Sequence, residues 1–281
     1  ISRAKVLETL KERTETLTVD AMVGTLGDLT TGAEGDVDDM MNAFEKVPGF
    51  YEAAYSLACF MIPPEEGEEL AAEDVLETLG LARARSLALT FFALNFEWKE
   101  SRHFTWQPLW QHQMTVGIIM DFMYDALDLK RSGLEYVSGF MHGFGKLILS
   151  ELFPFAYYTC LSQGIQQKKP LHEDERSVFG ITSGEILSIW SAYNNFPGWL
   201  SDVFSYFETP EEIKKKSVLS HALVSANHLS KSLGIGFAGD ICVDPRPWEE
   251  LPSTTYIWEL RRARDHPFED FTEGFDEQFR S

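Results

Sequence analysis

Cysteine is scarce in this sequence, and the cysteines present form no recognisable pattern. The chain contains three, Cys59, Cys160 and Cys242, each set among apolar residues and far from the others. An odd count without a C-x-x-C pair argues against a disulfide framework and against a cysteine-rich zinc site. Such cysteine usage is typical of a reducing compartment, so we expect a cytoplasmic location.

Long apolar runs are missing as well. The N-terminal segment ISRAKVLETLKERTE is charged and amphipathic, and it lacks the apolar core of a signal peptide. The longest apolar stretches, such as Leu87–Phe96, have about half the length that a membrane-spanning helix requires. We therefore expect a soluble protein without membrane association.

Positive charge is the third deficit. Lys and Arg number 24 against 44 Asp and Glu, which gives a formal net charge of −20. A field of this sign repels phosphate backbones and anionic lipid, so it argues against nucleic acid and membrane surfaces as partners. Ordinary solubility is sufficient to explain such an acidic surface, and the charge carries no information about the fold.

The sequence does contain ample apolar material and helix signals along almost its whole length. Hydrophobic residues make up 44% and aromatic residues 13% of 281 residues, a length that allows about two domains or one large one. Convincing period-two alternation, the pattern of half-buried strands, is absent. These features predict an all-α fold.

Turn and capping residues divide the chain into predicted helices. Asp36 is an expected N-cap, Pro48 opens a helix at a favoured first-turn position, and Gly80 separates two helices. A polar linker is expected at Gly164–Pro170. The predicted helices are Val19–Leu29, Val37–Val47, Gly49–Met61, Glu73–Leu79, Leu81–Phe96, Trp110–Leu129, Tyr136–Glu151, Phe153–Gln163, Glu173–Asn194, Trp199–Phe207 and Pro210–Leu233.

The C-terminal stretch differs from the rest in composition. Three prolines between residues 245 and 252 argue against one continuous helix, whereas Tyr256–Arg264 predicts a short one. Beyond it, phenylalanines recur at three- and four-residue spacing with acidic residues between them, which predicts an amphipathic helix that folds back onto its own chain. These phenylalanines are Phe268, Phe271, Phe275 and Phe279.

The segment Tyr136–Glu151 reads YVSGFMHGFGKLILSE and contains the run His-Gly-Phe-Gly-Lys. This run resembles the L-H-D-I-G-K segment of the HD-type metal-dependent phosphohydrolase superfamily, and more particularly its HDOD branch, whose members are mostly signalling modules. Four further segments resemble HDOD helices in order and spacing, and the resemblance covers most of Leu17–Gly239. They are Thr18–Leu26, Val47–Phe50, Tyr55–Ala58 and Leu79–Leu89.

The resemblance implies a two-lobed helical architecture. It predicts an N-terminal lobe over residues 1–100 and an HD-like lobe over residues 101–239. The composition, and not the resemblance, predicts an extended acidic-aromatic tail over residues 240–281. The chain begins at Ile1 rather than at methionine, which is consistent with a fragment of a longer chain but does not decide it. HDOD modules are often joined to receiver or other signalling domains, so such a domain before Ile1 is consistent with the resemblance.

An HD site binds one or two divalent ions through an upstream His, a His-Asp pair and a downstream Asp, and the metal activates a water for attack on a phosphate ester. By resemblance, the pair is His142 and Gly143, so a carboxylate is missing. The other ligand positions are His112, Ser183 and Asn227, and no histidine remains at the corner Tyr206–Glu208.

Only His112 and His142 therefore keep a side chain that can bind metal. For each of them, a purely structural role is the alternative interpretation. We expect no bound metal, no cofactor and no catalytic residue. Lys146 is a candidate for phosphate or ligand contact, although a lysine reaching solvent from a buried helix is the commoner case.

The sequence thus predicts a catalytically silent HDOD-type regulatory or scaffold module in bacterial signal transduction, which acts through protein–protein contacts. Two alternatives remain open. One is a divergent metal-dependent phosphohydrolase acting on a nucleotide or cyclic dinucleotide. The other is a small-ligand sensor that uses the former active-site cavity.

Overall fold

The structure is a computed structural model, and it describes residues 1–17, 37–64, 69–95, 106–129, 134–193, 198–207, 217–241 and 243–262. These ranges contain thirteen α-helices and one short 3-10 helix, Trp248–Glu250, with no strand among them. The all-α prediction is confirmed. The α-helices are α1 (Arg3–Leu17), α2 (Val37–Lys46), α3 (Phe50–Met61), α4 (Ala72–Asn95), α5 (Trp106–Ala126), α6 (Leu134–Met141), α7 (Phe144–Leu152), α8 (Pro154–Gln167), α9 (Leu171–Phe179), α10 (Ser183–Tyr193), α11 (Gly198–Tyr206), α12 (Val218–Ser232) and α13 (Pro252–Arg262).

The local signals place most helix boundaries within a few residues. Helix α4 is bent at Gly80, whose φ of 70° and ψ of 154° interrupt the helix where the sequence predicts a stop. Helix α12 ends at Ser232 as expected, but residues 210–216 lie outside the described ranges, so the predicted start at Pro210 is not observed. The predicted helix Val19–Leu29 and the expected N-cap Asp36 also lie outside the described ranges.

Four boundary predictions are wrong. The predicted helix Tyr136–Glu151 forms two helices, α6 and α7, with His142 and Gly143 in the turn between them. The segment Glu173–Asn194 forms two helices, α9 and α10, because Gly180 adopts a φ of 65° and ends α9 with a left-handed residue. Helix α8 continues to Gln167, so most of the predicted linker Gly164–Pro170 is helical. Helix α5 begins at Trp106, four residues before the predicted start.

Two apolar cores stabilise the described helices. The larger one joins the N-terminal helices to the middle of the chain, with Phe44, Phe50 and Phe140 fully or almost fully buried in it. The smaller core lies between α5, α12 and α13 and buries Met120, Leu223 and other apolar side chains. The division of the chain into lobes at residues 100 and 239 stays a prediction.

Helices α5 and α6 approach closely because glycines face each other. A Cβ on Gly139 would lie 2.6 Å from the Cα of Gly117, so no larger residue fits at this crossing without a shift. A second close approach joins α7 to α10, where a Cβ on Gly145 would lie 1.8 Å from the carbonyl oxygen of Ser183. These contacts fix α5, α6 and α7 around the two histidines, His112 and His142.

Residues 243–262 pack onto α12 and the smaller core. The indole N–H of Trp248 donates to the carbonyl of Ser225 at 3.0 Å, and the hydroxyls of Ser225 and Thr254 lie 2.6 Å apart. Ile257 and Trp258 are buried in the same core. The predicted phenylalanine helix, Phe268–Phe279, lies outside the described residues.

No helix in the described ranges is both long enough and apolar enough to cross a bilayer.

We predict that truncation after Asp244 lowers the melting temperature by about 10 °C or more, because it removes several buried side chains worth about 1.5–3 kcal/mol each. Truncation after Arg262 is the matched control and removes only residues 263–281. If the phenylalanine helix packs on its own chain, the control should also melt at a lower temperature than the full chain, but by less than the first truncation. An unchanged melting temperature and a monomeric state of the control chain would instead identify residues 263–281 as a free recognition segment.

Candidate functional site

His112 lies on α5 and is held between two side chains of α12. Its Nε2 lies 3.0 Å from the Oδ1 of Asn227, and its Nδ1 lies 2.9 Å from the Oγ of Ser230. Because an amide oxygen only accepts, Nε2 carries the proton and donates, and Nδ1 accepts from the Ser230 hydroxyl. Both ring nitrogens are therefore engaged, and the side chain is 1% exposed.

His142 lies in the short connection between α6 and α7. Its Nδ1 donates to the carbonyl oxygen of Gly139 in the last turn of α6, which leaves Nε2 as the acceptor nitrogen of the ring. The rings of His112 and His142 are 5.3 Å apart between centroids, and the ring of Phe207 lies 5.1 Å from His142 in an edge-to-face geometry. The sequence-predicted histidines therefore do meet.

Gly143 is the N-cap of α7, and the side chain of Gln113 fills the space beside it. With the amide oriented by its hydrogen bonds, the Gln113 oxygen accepts from the N–H groups of Gly143 at 3.1 Å and Phe144 at 3.3 Å. These are N–H groups at a helix start, which have no partner within the helix. A Cβ on Gly143 would lie 2.3 Å from the terminal amide of Gln113. A carboxylate at residue 143 would therefore collide with this cap.

Lys146 is buried rather than exposed, contrary to the commoner case weighed from sequence. Its side chain is 3% exposed, and Nζ lies 5.5 Å from the centroid of the Phe207 ring. Lys231 on α12 forms an ion pair with Asp240 at 2.9 Å, and the second oxygen of Asp240 accepts from the N–H of Leu171 at 3.0 Å. The locus thus contains two ammonium groups.

The buried surroundings keep both histidines neutral. Burial lowers the pKa of His112 to about 3, and the charges of Lys231 and Lys146 act in the same direction. Burial likewise lowers the pKa of His142 well below its usual range, with His112 and Lys146 adding to the effect. Although burial opposes it, Lys231 holds the pKa of Asp240 below its ordinary value, so this group is a carboxylate.

Ser183, the remaining ligand position by resemblance, is engaged elsewhere. Its N–H donates to Glu175 at 2.7 Å, and its carbonyl contacts Gly145. Glu175 also accepts from the hydroxyl of Tyr157 at 3.0 Å, and Glu185 pairs with Arg3 at 3.0 Å. Both glutamates are therefore engaged in structural contacts.

The residues at the histidine pair do not fit a divalent cation. In the described part of the chain, no group of three or more His, Cys, Asp or Glu side chains is arranged to hold one. The two nitrogens of His112 are used in hydrogen bonds, and the charges of Lys231 and Lys146 act on the same ring. The absence of bound metal itself stays a prediction for elemental analysis.

Sequence reasoning missed several residues of this locus. Ser230 lies three positions after Asn227, so the helical repeat could have placed both on one face of α12. Gln113 directly follows His112, but nothing local indicates that it caps a helix about thirty residues later. Phe207 lies in the corner where the resemblance expects histidine, and its ring does reach the site.

The described part of the chain is thus all-α, and its fold brings His112 and His142 together. Residues 71–210 match the model of the HDOD domain, and the chain belongs to this family. The match includes His112, His142, Gly143 and Ser183, whereas Asn227 and the segments resembling HDOD helices before residue 71 lie outside it. No curated protein matches the sequence.

Solved structures share this fold over nearly the whole chain. An HDOD domain protein of unknown function from Geobacter sulfurreducens is 16% identical with a TM-score of 0.76, over 98% of this chain and 95% of that one. A protein described as a signal transduction protein from Marinobacter aquaeolei VT8 is 19% identical with a TM-score of 0.65, over 94% of this chain and 64% of that one.

A third structure, described as a phosphohydrolase from Shewanella amazonensis SB2B, is 15% identical with a TM-score of 0.65, over 90% of this chain and 93% of that one. At these identities the likenesses establish a common fold and nothing about chemistry.

We predict that the free energy of unfolding falls as the pH is lowered below about 6.5. Below this pH both histidines bind a proton in the unfolded chain but stay neutral in the folded one. Each therefore lowers the free energy of unfolding by up to about 1.4 kcal/mol per pH unit. Urea unfolding between pH 7.5 and 5.0 should show a shallower slope for His112→Gln than for the unchanged chain. Leu149→Ala, a core truncation, should lower the whole curve without changing its slope. Parallel curves for all three proteins would contradict the assignment of a neutral His112.

Proposed function

We propose that the chain is a catalytically silent HDOD-type regulatory or scaffold module of bacterial signal transduction, located in the cytoplasm and acting through protein–protein contacts. The observation that best supports the proposed lack of catalysis is the position of Gln113. Its amide caps α7 in the space where the HD resemblance requires a carboxylate, so Gly143 serves a structural contact instead of a metal.

The state of His112 supports the same conclusion. A metal ligand must offer a lone pair to the ion, whereas His112 donates with one nitrogen and accepts with the other. Asn227 supplies a neutral amide at the position of the downstream acid, and it uses its oxygen on His112. The polar residues of the former site therefore form a closed hydrogen-bond network that stabilises the packing of α5 on α12.

The surface of α8 supports the protein-contact part of the proposal. This helix has no charged side chain along Pro154–Gln167, although the chain as a whole carries a net charge of −20. Phe155 is 77% exposed and Tyr158 is 47% exposed, whereas Tyr157 on the same helix is buried in the core. Exposed apolar surface of this kind is typical of protein contact sites.

We predict no phosphodiesterase or phosphomonoesterase activity above background with Mn or Mg added, tested on generic esters and cyclic dinucleotides. The double variant Gly143→Asp with Asn227→Asp should remain inactive, because Ser183 still occupies a histidine position. It should also melt at a lower temperature, since the carboxylate introduced at residue 143 displaces the Gln113 cap. Turnover that is abolished by His142→Ala, together with about one or two transition ions per chain by elemental analysis, would overturn the proposal in favour of a phosphohydrolase.

We predict that the unchanged chain captures a partner protein from the native host and that the double variant Phe155→Ser with Tyr158→Ser does not. Ile62→Ser, which alters a side chain that is 61% exposed and lies at a different helix end, is the matched control and should retain the partner. Quantitative affinity capture from the native host measures both. Retention of the same partner by the α8 variant at undiminished yield would show that this helix is not the contact surface.

A further inference from the structure

Helix α8 is the one α-helix in the described part of the chain that carries no charged side chain. The chain as a whole has a formal net charge of −20. Two copies of such a chain repel each other wherever their acidic surfaces meet, and this repulsion is weakest where the surface is neutral. Among the described helices, α8 is therefore the one that a second copy of the chain can approach with the least electrostatic repulsion.

The exposed side of α8 is an uncharged stripe with apolar groups near both ends. The helical repeat of about 100° per residue places four side chains within about 80° of one another, namely Phe155, Tyr158, Ser162 and Ile165. Phe155 is exposed over most of its surface, and Tyr158 and Ile165 are 47% and 41% exposed. The opposite side of the helix is buried through Tyr157. The stripe is thus an apolar surface on a helix that the core holds in place.

The charges that flank α8 are opposite at its two ends. Glu151, in the last turn of α7, lies three residues before the first residue of α8. Lys168 and Lys169 directly follow the last residue and are exposed. A second copy in a parallel orientation would place like charges side by side. In an antiparallel orientation, the positive end of each copy lies beside the negative end of the other.

An antiparallel pair also matches along its length. The midpoint of α8 lies between Cys160 and Leu161. A two-fold axis through this point brings Lys169 of one copy level with Leu152 of the partner subunit, one residue from the partner's Glu151. The two copies of Ser162 then meet near the axis. The stripe and its flanking charges are therefore complementary to themselves, as a two-fold interface requires.

We propose that α8 is the interface of a symmetric homodimer, in which two copies of the helix pair antiparallel. Phe155 of each copy packs beside Ile165 of the partner subunit, and Lys168 and Lys169 lie close to the partner's Glu151. The inference rests on the proposed contact role of α8 and names the partner of that surface as a second copy of the chain.

The size of the surface indicates a weak and reversible dimer. A helix of 14 residues is about 21 Å long, so pairing two such faces removes roughly 1,000 Å² of accessible surface in total. This area lies at the lower limit for a specific interface and is typical of transient complexes. We expect a dissociation constant on the order of 10–100 μM.

Sedimentation equilibrium of the full chain between about 5 and 500 μM, in about 0.15 M salt, measures the dimer. Lys168→Glu with Lys169→Glu should weaken it at least about tenfold, because the new carboxylates lie near the partner's Glu151. Lys11→Glu with Lys46→Glu makes the same change of net charge at exposed positions on α1 and α2 and is the matched control. It should weaken the dimer less than about threefold, because salt screens distant charges.

A charge exchange tests the antiparallel orientation. Adding Glu151→Lys to the variant with Lys168→Glu and Lys169→Glu inverts the charges at both ends of α8 and should restore most of the lost affinity. A merely structural role of these residues would give no such rescue. Equal weakening by the control variant would overturn the assignment. So would failed rescue in a variant that keeps the circular dichroism spectrum and melting temperature of the unchanged chain.

Two cysteine variants test the register without changing charge, and they keep the proposal testable if a charge variant fails to fold. The two copies of residue 162 are about 5 Å apart along the helix, whereas those of residue 166 are about 17 Å apart. Oxidation should therefore link Ser162→Cys into dimers. Gln166→Cys should stay at the level of the unchanged chain, which contains Cys59 and Cys160. Equal linkage of both variants would overturn the register.

The outcomes separate this inference from the proposed function. A chain that remains monomeric at about 500 μM overturns the homodimer. Capture of a different host protein that is lost on Phe155→Ser with Tyr158→Ser would still support the contact role of α8. A dimer that persists undiminished in this double variant uses another surface and overturns the inference. Hydrolysis of phosphate esters would overturn catalytic silence without affecting the dimer.

Discussion

The hydrogen bonds from His112 to Asn227 and Ser230 are the contacts on which the candidate site depends, because they join α5 to α12 across a buried interface. Each partner is satisfied only while the other helix is in place, and an unmade hydrogen bond in such surroundings is costly. The ring of His112 then supports His142, and Phe207 packs against the edge of the pair. The order of the site therefore follows from one neutral imidazole held between two helices.

The Gln113 cap extends this network to α7. Its amide satisfies the first N–H groups of α7, while the absence of a side chain at Gly143 makes room for it. Gly143 and Gln113 are thus complementary, since a side chain at residue 143 would occupy the space that the amide fills. The cap therefore adds hydrogen bonds beside the histidine pair and joins α5 to the start of α7.

The positive charge of Lys146 and Lys231 reinforces an effect of burial. Burial lowers the pKa of both histidines, and the two lysines act in the same direction. A buried lysine is tolerated here because Phe207 offers the face of its ring and because Asp240 carries negative charge nearby. Burial and these charges together therefore set the protonation state of the histidine pair.

Local sequence patterns determined the helical class, most helix positions and the two positions, Gly143 and Asn227, that lack a carboxylate. These features depend on residues within a few positions of one another, as periodicity, capping and motif spacing do. The break at Gly180 was missed because a left-handed helix end and a flexible glycine look alike in a sequence.

Only the tertiary structure decided that Lys146 is buried, that Gln113 fills the vacant space and that residues 243–262 close a cavity against α12. Asn227 lies 115 residues from His112, and no local pattern encodes a contact over that separation. The packing of whole helices, set by close glycine crossings and two apolar cores, brings these groups together. The sequence alone therefore identified the local residue types, and the fold showed which of them meet.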